Sequence, residues 1–441
     1  MKLSRHAVVA VVVLAIVAMV LPLSAFARTK IEYFFPTMVE GPLAREMTKI
    51  VNEYNKMQDQ VKVIAAYTGT YDETKIKAQA AFEAGKPPAV VLMSPFSIFD
   101  FVLSDYLEPL NPMIKADGMD PEEFFADFWE AAHPNAIFDG TIVAVPFQMS
   151  TPLLYVNCEH LAEVGLSCEK PPATWKELVA AAKKLTKKQG NKVIRWGIMM
   201  PSNYDYLGWL LEALTLTNGG RFFNTDYRGE VYYDTPTTKG ALQLWYDFVY
   251  KHGVMPAGVT EGREVGAAFF AGKASMVMLS TGSLTAVRKN AKFKYNVAFI
   301  PRNVRHKAPL GGAFMVIMKG LSPEKKKAAW DFLKWLTNAE NLARWSRFTG
   351  YFAPRKSSYD LPVMKEFTAA HPDAVVGLDQ LRLYGYPILQ VYNSIAVRKA
   401  LEDEMHALLN NKTTVEKAAA EAQKKANQIM APYNKDHASA P

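Results

Sequence analysis

Short runs of strand-forming residues alternate with amphipathic helical runs along the first part of this chain, and that alternation leaves few folds open. Residues 28–35, with Lys-Ile-Glu-Tyr-Phe-Phe over 30–35, read as a first strand. Helical spacing follows over 40–55, with Leu43, Met47, Ile50, Val51 and Tyr54 on one side. Residues 61–66 read as a second strand and 72–84 as a second helix. The segment Gly85-Lys86-Pro87-Pro88 closes that helix ahead of an apolar strand over 89–93. A chain written this way builds α/β layers with parallel strands, and ligands then sit at the carboxyl ends of those strands. The loops leaving those ends are 36–41, 67–71 and 94–97.

One core is too small for the whole chain. At 441 residues, two domains are expected. The hydrophobic share of 49% excludes a disordered chain. The net charge is +8, but basic residues are interleaved with acids, as over 324–327 and 421–425. They read as solvated faces, and no nucleic-acid partner is expected.

Lys2, Arg5 and His6 precede an apolar run over 7–21, then Pro22 and Ala25-Phe26-Ala27. This is the pattern of a secretory signal peptide, with cleavage expected after Ala27. The run is shorter than the roughly 20 residues of a spanning helix. No Cys lies near the cut, so no lipoprotein is expected, and the mature chain would work in the periplasm. In that oxidising space Cys158 and Cys168 are expected to pair, with a short helix over 159–166 returning the ends.

Farther along, 140–146 reads as a strand ending at Pro146, and 152–157 as another, with 147–151 passing between two lobes. Thr174 and Glu177 form a capping pair at the start of a helix expected to reach 188. Residues 313–318 read as a strand and 323–335 as a helix whose Trp330, Phe332 and Trp335 are mostly core. From Asn393 the chain is nearly all helix, with a break near 410–413 and a loose tail from Asn434.

Catalytic constellations are missing. His133, His160, His252, His306, His371, His406 and His437 show no metal-ligand spacing, and no Gly-x-Ser-x-Gly turn occurs. Residues 266–273 superficially suggest a phosphate loop, but the glycine spacing is one residue too long and Ala274 stands where Ser or Thr is needed. No enzyme activity, metal or cofactor is expected. The rival class is a secreted glycan-active hydrolase, which would need two carboxylates across one cleft. An adhesion or scaffold protein would lack an enclosing pocket.

Several segments resemble one family. They are Phe82-x-x-Gly85-x-x-Pro88-Ala89-Val90-Val91, Leu107-Glu108-Pro109-Leu110 and Gly140 to Pro146 with Ser150-Thr151-Pro152-Leu153-Leu154-Tyr155-Val156-Asn157. Pro171-Pro172-x-Thr174-Trp175-x-Glu177-Leu178, Phe269-Phe270-Ala271-Gly272-Lys273-Ala274-Ser275-Met276, Gly311-Gly312-Ala313 and Thr349-Gly350-Tyr351-Phe352-Ala353-Pro354-Arg355 complete the series. In this order they resemble the extracellular solute-binding proteins of bacterial ABC importers, carbohydrate type. The resemblance implies an α/β, two-lobed periplasmic-binding-protein fold (type II). It divides the chain into an N-lobe of 28–148 with 301–351, a C-lobe of 149–300 with 352–435, and a flexible tail, 436–441. Three crossings near 147–151, 299–302 and 350–354 form the hinge. It also implies a monomer that delivers a polyol phosphate, glycerophosphodiester or sugar to an inner-membrane ABC permease.

The segments are most similar to members that bind glycerol-3-phosphate, whose ligand contacts match Tyr71, Ser150, Ser280, Gly312 and Tyr351. The tyrosines offer a flat apolar face with a hydroxyl, the serines donate and accept, and glycine admits a close backbone approach. Two family contacts do not carry over. The acid falls near Pro95, leaving Ser94 as the candidate there, and the phosphate-facing arginine falls near Val397. Glycerol-3-phosphate is therefore expected to bind weakly unless Arg382 or Arg398 swings in. Tyr204, Tyr206 and Trp209, after the strand over 196–200, are candidates for stacking, and Glu40 for holding a ligand hydroxyl.

Overall fold

The computed structural model describes residues 28–36, 41–204 and 206–437. The expected signal segment, 1–27, and Glu40 lie outside the described residues. No helix among the described residues is long and apolar enough to cross a membrane.

Two five-stranded sheets form the two lobes. The first runs, side by side, Val61–Tyr67, Thr29–Phe35, Val90–Met93, Gly311–Ile317 and Val145–Ser150. The second runs Tyr295–Phe299, Pro152–Asn157, Ala274–Ser280, Lys192–Met199 and Lys187–Gln189. Thr29–Phe35 pairs in parallel with both neighbours, as the alternation predicts. Ala274–Ser280 and Lys192–Met199 are also parallel, but the expectation of parallel sheets fails at other strands. Gly311–Ile317 runs antiparallel to both of its neighbours, and so does Pro152–Asn157. The chain passes between sheets at these strands: Val145–Ser150 leads through Thr151 into Pro152–Asn157, and Tyr295–Phe299 leads across to Gly311–Ile317. A strand arriving from the other sheet has no crossover helix to force it parallel.

Local chemistry sets the element ends. The first helix is Pro42–Met57, with Pro at its start, where a missing N–H costs nothing, and Met47, Ile50, Val51 and Tyr54 buried. The second, Tyr71–Glu83, is opened by a capping box between Thr70 and Glu73. The predicted Thr174–Glu177 box is present, but its helix stops at Leu185 rather than 188. Lys187–Gln189 pairs antiparallel with Lys192–Met199 instead. The C-terminal helices are Ser394–Leu409 and Val415–Asp436. The second overruns the expected start of the tail. Asn434 is fixed there because its Oδ1 accepts from the Tyr227 hydroxyl at 2.7 Å and its Nδ2 donates to Gly229 O at 3.0 Å.

Cys158 and Cys168 are joined as a disulfide, with Cα atoms 4.9 Å apart. Thiol labelling of the unfolded, non-reduced protein is expected to find no free thiol, and two labelled thiols would contradict the bridge. Closing so short a loop is expected to stabilise the protein by about 2–3 kcal/mol.

Candidate functional site

Strand ends from both sheets meet in one cleft, lined among others by Tyr71, Ser94, Ser150, Tyr206, Ser280, Gly312 and Tyr351. Ser94 follows Val90–Met93, Ser150 ends Val145–Ser150, and Ser280 ends Ala274–Ser280. Gly312 lies at the start of Gly311–Ile317, which runs the opposite way and so brings its first residues to the same end. The cleft encloses about 90 Å³ open to the centres of water molecules.

Each wall is fixed by its neighbours. Gln148, buried under the cleft, donates to the Tyr71 hydroxyl at 2.9 Å and accepts from the Trp345 indole N–H at 2.7 Å. The Ser280 hydroxyl accepts from Gly282 N–H at 3.1 Å. Burial pushes the Tyr351 hydroxyl well above the usual tyrosine range, and the Tyr71 and Tyr206 hydroxyls beside it add to this. Tyr351 therefore stays neutral and can both donate and accept. Gly312 has φ +112°, and a Cβ there would lie 2.1 Å from Gln148 O, so no other residue fits without moving the neighbouring strand.

Across the cleft, the helix Leu207–Thr217 brings in Gly208, Trp209 and Glu212, with Tyr206 at its start. The Trp209 indole N–H donates to Leu310 O at 3.0 Å. Gly208 permits close helix packing, since a Cβ there would meet Arg398 Cγ at 2.7 Å and Glu402 Oε1 at 2.9 Å. Arg398, on Ser394–Leu409, lines the cleft with its guanidinium 4.2 Å from the centre of the Phe96 ring. Its Nη2 donates to Asp72 Oδ2 at 2.8 Å, and its Nε lies 3.3 Å from Glu402 Oε1. Two further contacts close the same side: Gln390 Nε2 donates to Pro95 O at 2.9 Å, and Asn393 N–H donates to Asp100 Oδ1 at 2.7 Å.

Three expectations change. Val397 is fully buried and faces the core, and Arg398, one residue on, is the side chain in the cleft. A step of one residue turns a helix by about 100°, so a one-residue offset in matching the segment exchanges cleft for core. Arg382 lies elsewhere, on a separate cavity with Trp129 and Tyr386, and is paired with Asp379. Tyr204 is 41% exposed, and its hydroxyl donates to Asp403 at 2.6 Å, outside the cleft lining. It precedes the helix start by three residues, whereas Tyr206 adjoins it and turns inward.

Sequence reasoning missed Phe96, Glu212, Phe222, Ile388 and Leu389. A single acid on the otherwise apolar helix Leu-Gly-Trp-Leu-Leu-Glu-Ala-Leu was the available signal for Glu212. Among the described residues lining the cleft it is the one carboxylate, whereas a glycosidase needs a pair. Among the described residues no cluster of His, Cys, Asp and Glu could hold a metal ion.

The bacterial extracellular solute-binding protein family model matches residues 49–373. The sn-glycerol-3-phosphate-binding periplasmic protein UgpB of Yersinia pseudotuberculosis is 28% identical over 428 residues, spanning 94% of this chain and 95% of that one. UgpB from Mycobacterium tuberculosis, solved in complex with glycerophosphocholine, superposes with a TM-score of 0.80 at 25% identity, covering 91% of this chain and 98% of that one. Maltose-bound MalE3 of T. maritima gives a TM-score of 0.78 at 26% identity, covering 91% and 100%.

Proposed function

Because the chain belongs to the bacterial extracellular solute-binding protein family, we propose that its cleft captures a phosphate ester of glycerol, as monoester or diester, and delivers it to an ABC permease. The observation that carries this reading is the arrival of Arg398 in a cleft also lined by Tyr71, Ser150, Ser280, Gly312 and Tyr351. A guanidinium has five N–H donors in a planar fork, so it can serve carboxylates and a phosphate oxygen together. Serine hydroxyls and tyrosine faces suit the glycerol part. The relatives named for glycerol-3-phosphate and glycerophosphocholine support the same ligand class. With a guanidinium in the cleft, one of the two grounds for expecting weak glycerol-3-phosphate binding falls away.

The lobes of this reading are 28–148 with 301–351 and 149–300 with 352–435, and closure about their crossings would bury the ligand. The role is binding without catalysis, by a monomer freed into the periplasm by cleavage after Ala27. Calorimetry and thermal melting with glycerol-3-phosphate, glycerophosphocholine and maltose test it. At about 100 times its dissociation constant the true ligand stabilises the protein by about 2.7 kcal/mol. Binding of either phosphate ester is expected. Binding of maltose alone would move the assignment to sugars, and binding of none would refute the ligand class.

A further inference from the structure

We propose that Glu212 binds the ligand as a neutral carboxylic acid, its Oε1–H donated to an oxygen of the bound polyol ester. This role rests on the reading of the cleft as the ligand site. Glu212 lies one turn beyond Gly208 on Leu207–Thr217, so the two share a face, and both line the cleft. Its side chain is 1% exposed. The Leu389 N–H donates to Oε2 at 3.2 Å. Oε1 is buried and has no hydrogen-bond partner among the described residues. A buried polar atom left unpaired is costly, and in a cleft it marks where a ligand atom completes the set.

The geometry also places the proton. Oε2 already accepts, so Oε1 is the oxygen that carries hydrogen. Burial pushes the Glu212 carboxyl well above its usual range, offset in part by the Leu389 N–H. The charged and titratable groups around it do not reverse this. Arg398 is engaged by Asp72 and Glu402, and among the described residues the other titratable groups that interact with Glu212 are the Tyr233 and Tyr386 hydroxyls, which bring no positive charge. The resemblance places an acid near Pro95, where this chain has none. Glu212 supplies a carboxyl to the cleft from a different helix. A protonated acid here selects a ligand that offers an oxygen acceptor, whereas an ionised one would select an ammonium group.

Two variants separate these cases. Glu212→Gln keeps the shape and an N–H donor, and Glu212→Leu keeps the volume without a donor. With glycerophosphocholine, whose diester charge is constant across the range, calorimetry from pH 5 to about pH 9 is expected to show Glu212→Gln within about threefold of the wild type. Glu212→Leu should be weaker by about tenfold or more. Wild-type affinity should fall as pH rises through the Glu212 titration, while Glu212→Gln stays flat. Infrared difference spectra of ligand-free wild type against Glu212→Gln should show the carbonyl band of a protonated carboxyl at neutral pH. Unchanged binding by Glu212→Leu overturns the proposal, as does a Glu212→Gln loss equal to that of Glu212→Leu, or absence of the band. If the wild type binds neither glycerophosphocholine nor glycerol-3-phosphate, the ester reading of the cleft fails and the contact fails with it. Failure of the Glu212 contact alone leaves wild-type ester binding intact.

Discussion

Arg398→Met is expected to abolish measurable binding of glycerol phosphate esters and to destabilise the protein by about 3–5 kcal/mol, the cost of breaking a buried ion pair from one side. The guanidinium stands between two carboxylates. Its side chain is 10% exposed, that of Glu402 1% and that of Asp72 26%. Methionine fills similar volume but leaves Glu402 buried without its cation, bonded to Gly208 N–H at 3.1 Å. Asp72 can turn toward water, so most of the penalty falls on Glu402. The double variant Arg398→Met with Glu402→Gln should regain much of the stability and none of the ester binding. Denaturant unfolding and calorimetry read the two effects separately. Ester affinity within threefold of the wild type in Arg398→Met would show that this side chain does not face the phosphate.

Gly312→Ala is expected to cost at least about 1–3 kcal/mol, from a side chain at positive φ, and to weaken ligand binding more than tenfold. At φ +112° a Cβ would lie 2.1 Å from Gln148 O and 3.0 Å from Met149 Cα. Both atoms belong to the paired strand, so relief requires moving backbone. Gln148 also donates to the Tyr71 hydroxyl and accepts from Trp345, so the shift reaches Tyr71 in the cleft lining. Near-ultraviolet circular dichroism should change while far-ultraviolet dichroism holds. An unchanged melting temperature and dissociation constant would contradict the close approach.

The layered α/β character, the capping box at Thr174 and the core role of Trp330 and Phe332 were all legible from residue order. Each rests on local periodicity or on contacts within four residues. Five candidate contacts, Tyr71, Ser150, Ser280, Gly312 and Tyr351, were named from short motifs, and the fold brings all five to one cleft. The strand directions at the lobe crossings were not legible, because whether a strand joins its own sheet or the other one depends on contacts more than a hundred residues away in sequence. Val145–Ser150, for example, pairs with Gly311–Ile317.

The cation and the acid of the cleft divide along the same line. Sequence by itself determined that a long helix carries Val397 and Arg398 side by side, and that a lone acid interrupts the apolar run of Leu207–Thr217. Which of two adjacent helical residues faces a ligand is a matter of helix rotation. Here that rotation is set by packing against Gly208, where the absent Cβ lets Arg398 and Glu402 come close. Likewise, only tertiary structure decided that one oxygen of Glu212 accepts from Leu389 N–H, 177 residues away in sequence, while the other is buried with no hydrogen-bond partner among the described residues. A hydrogen-bond ledger of that kind is written by the packing of distant segments, and no local pattern encodes it.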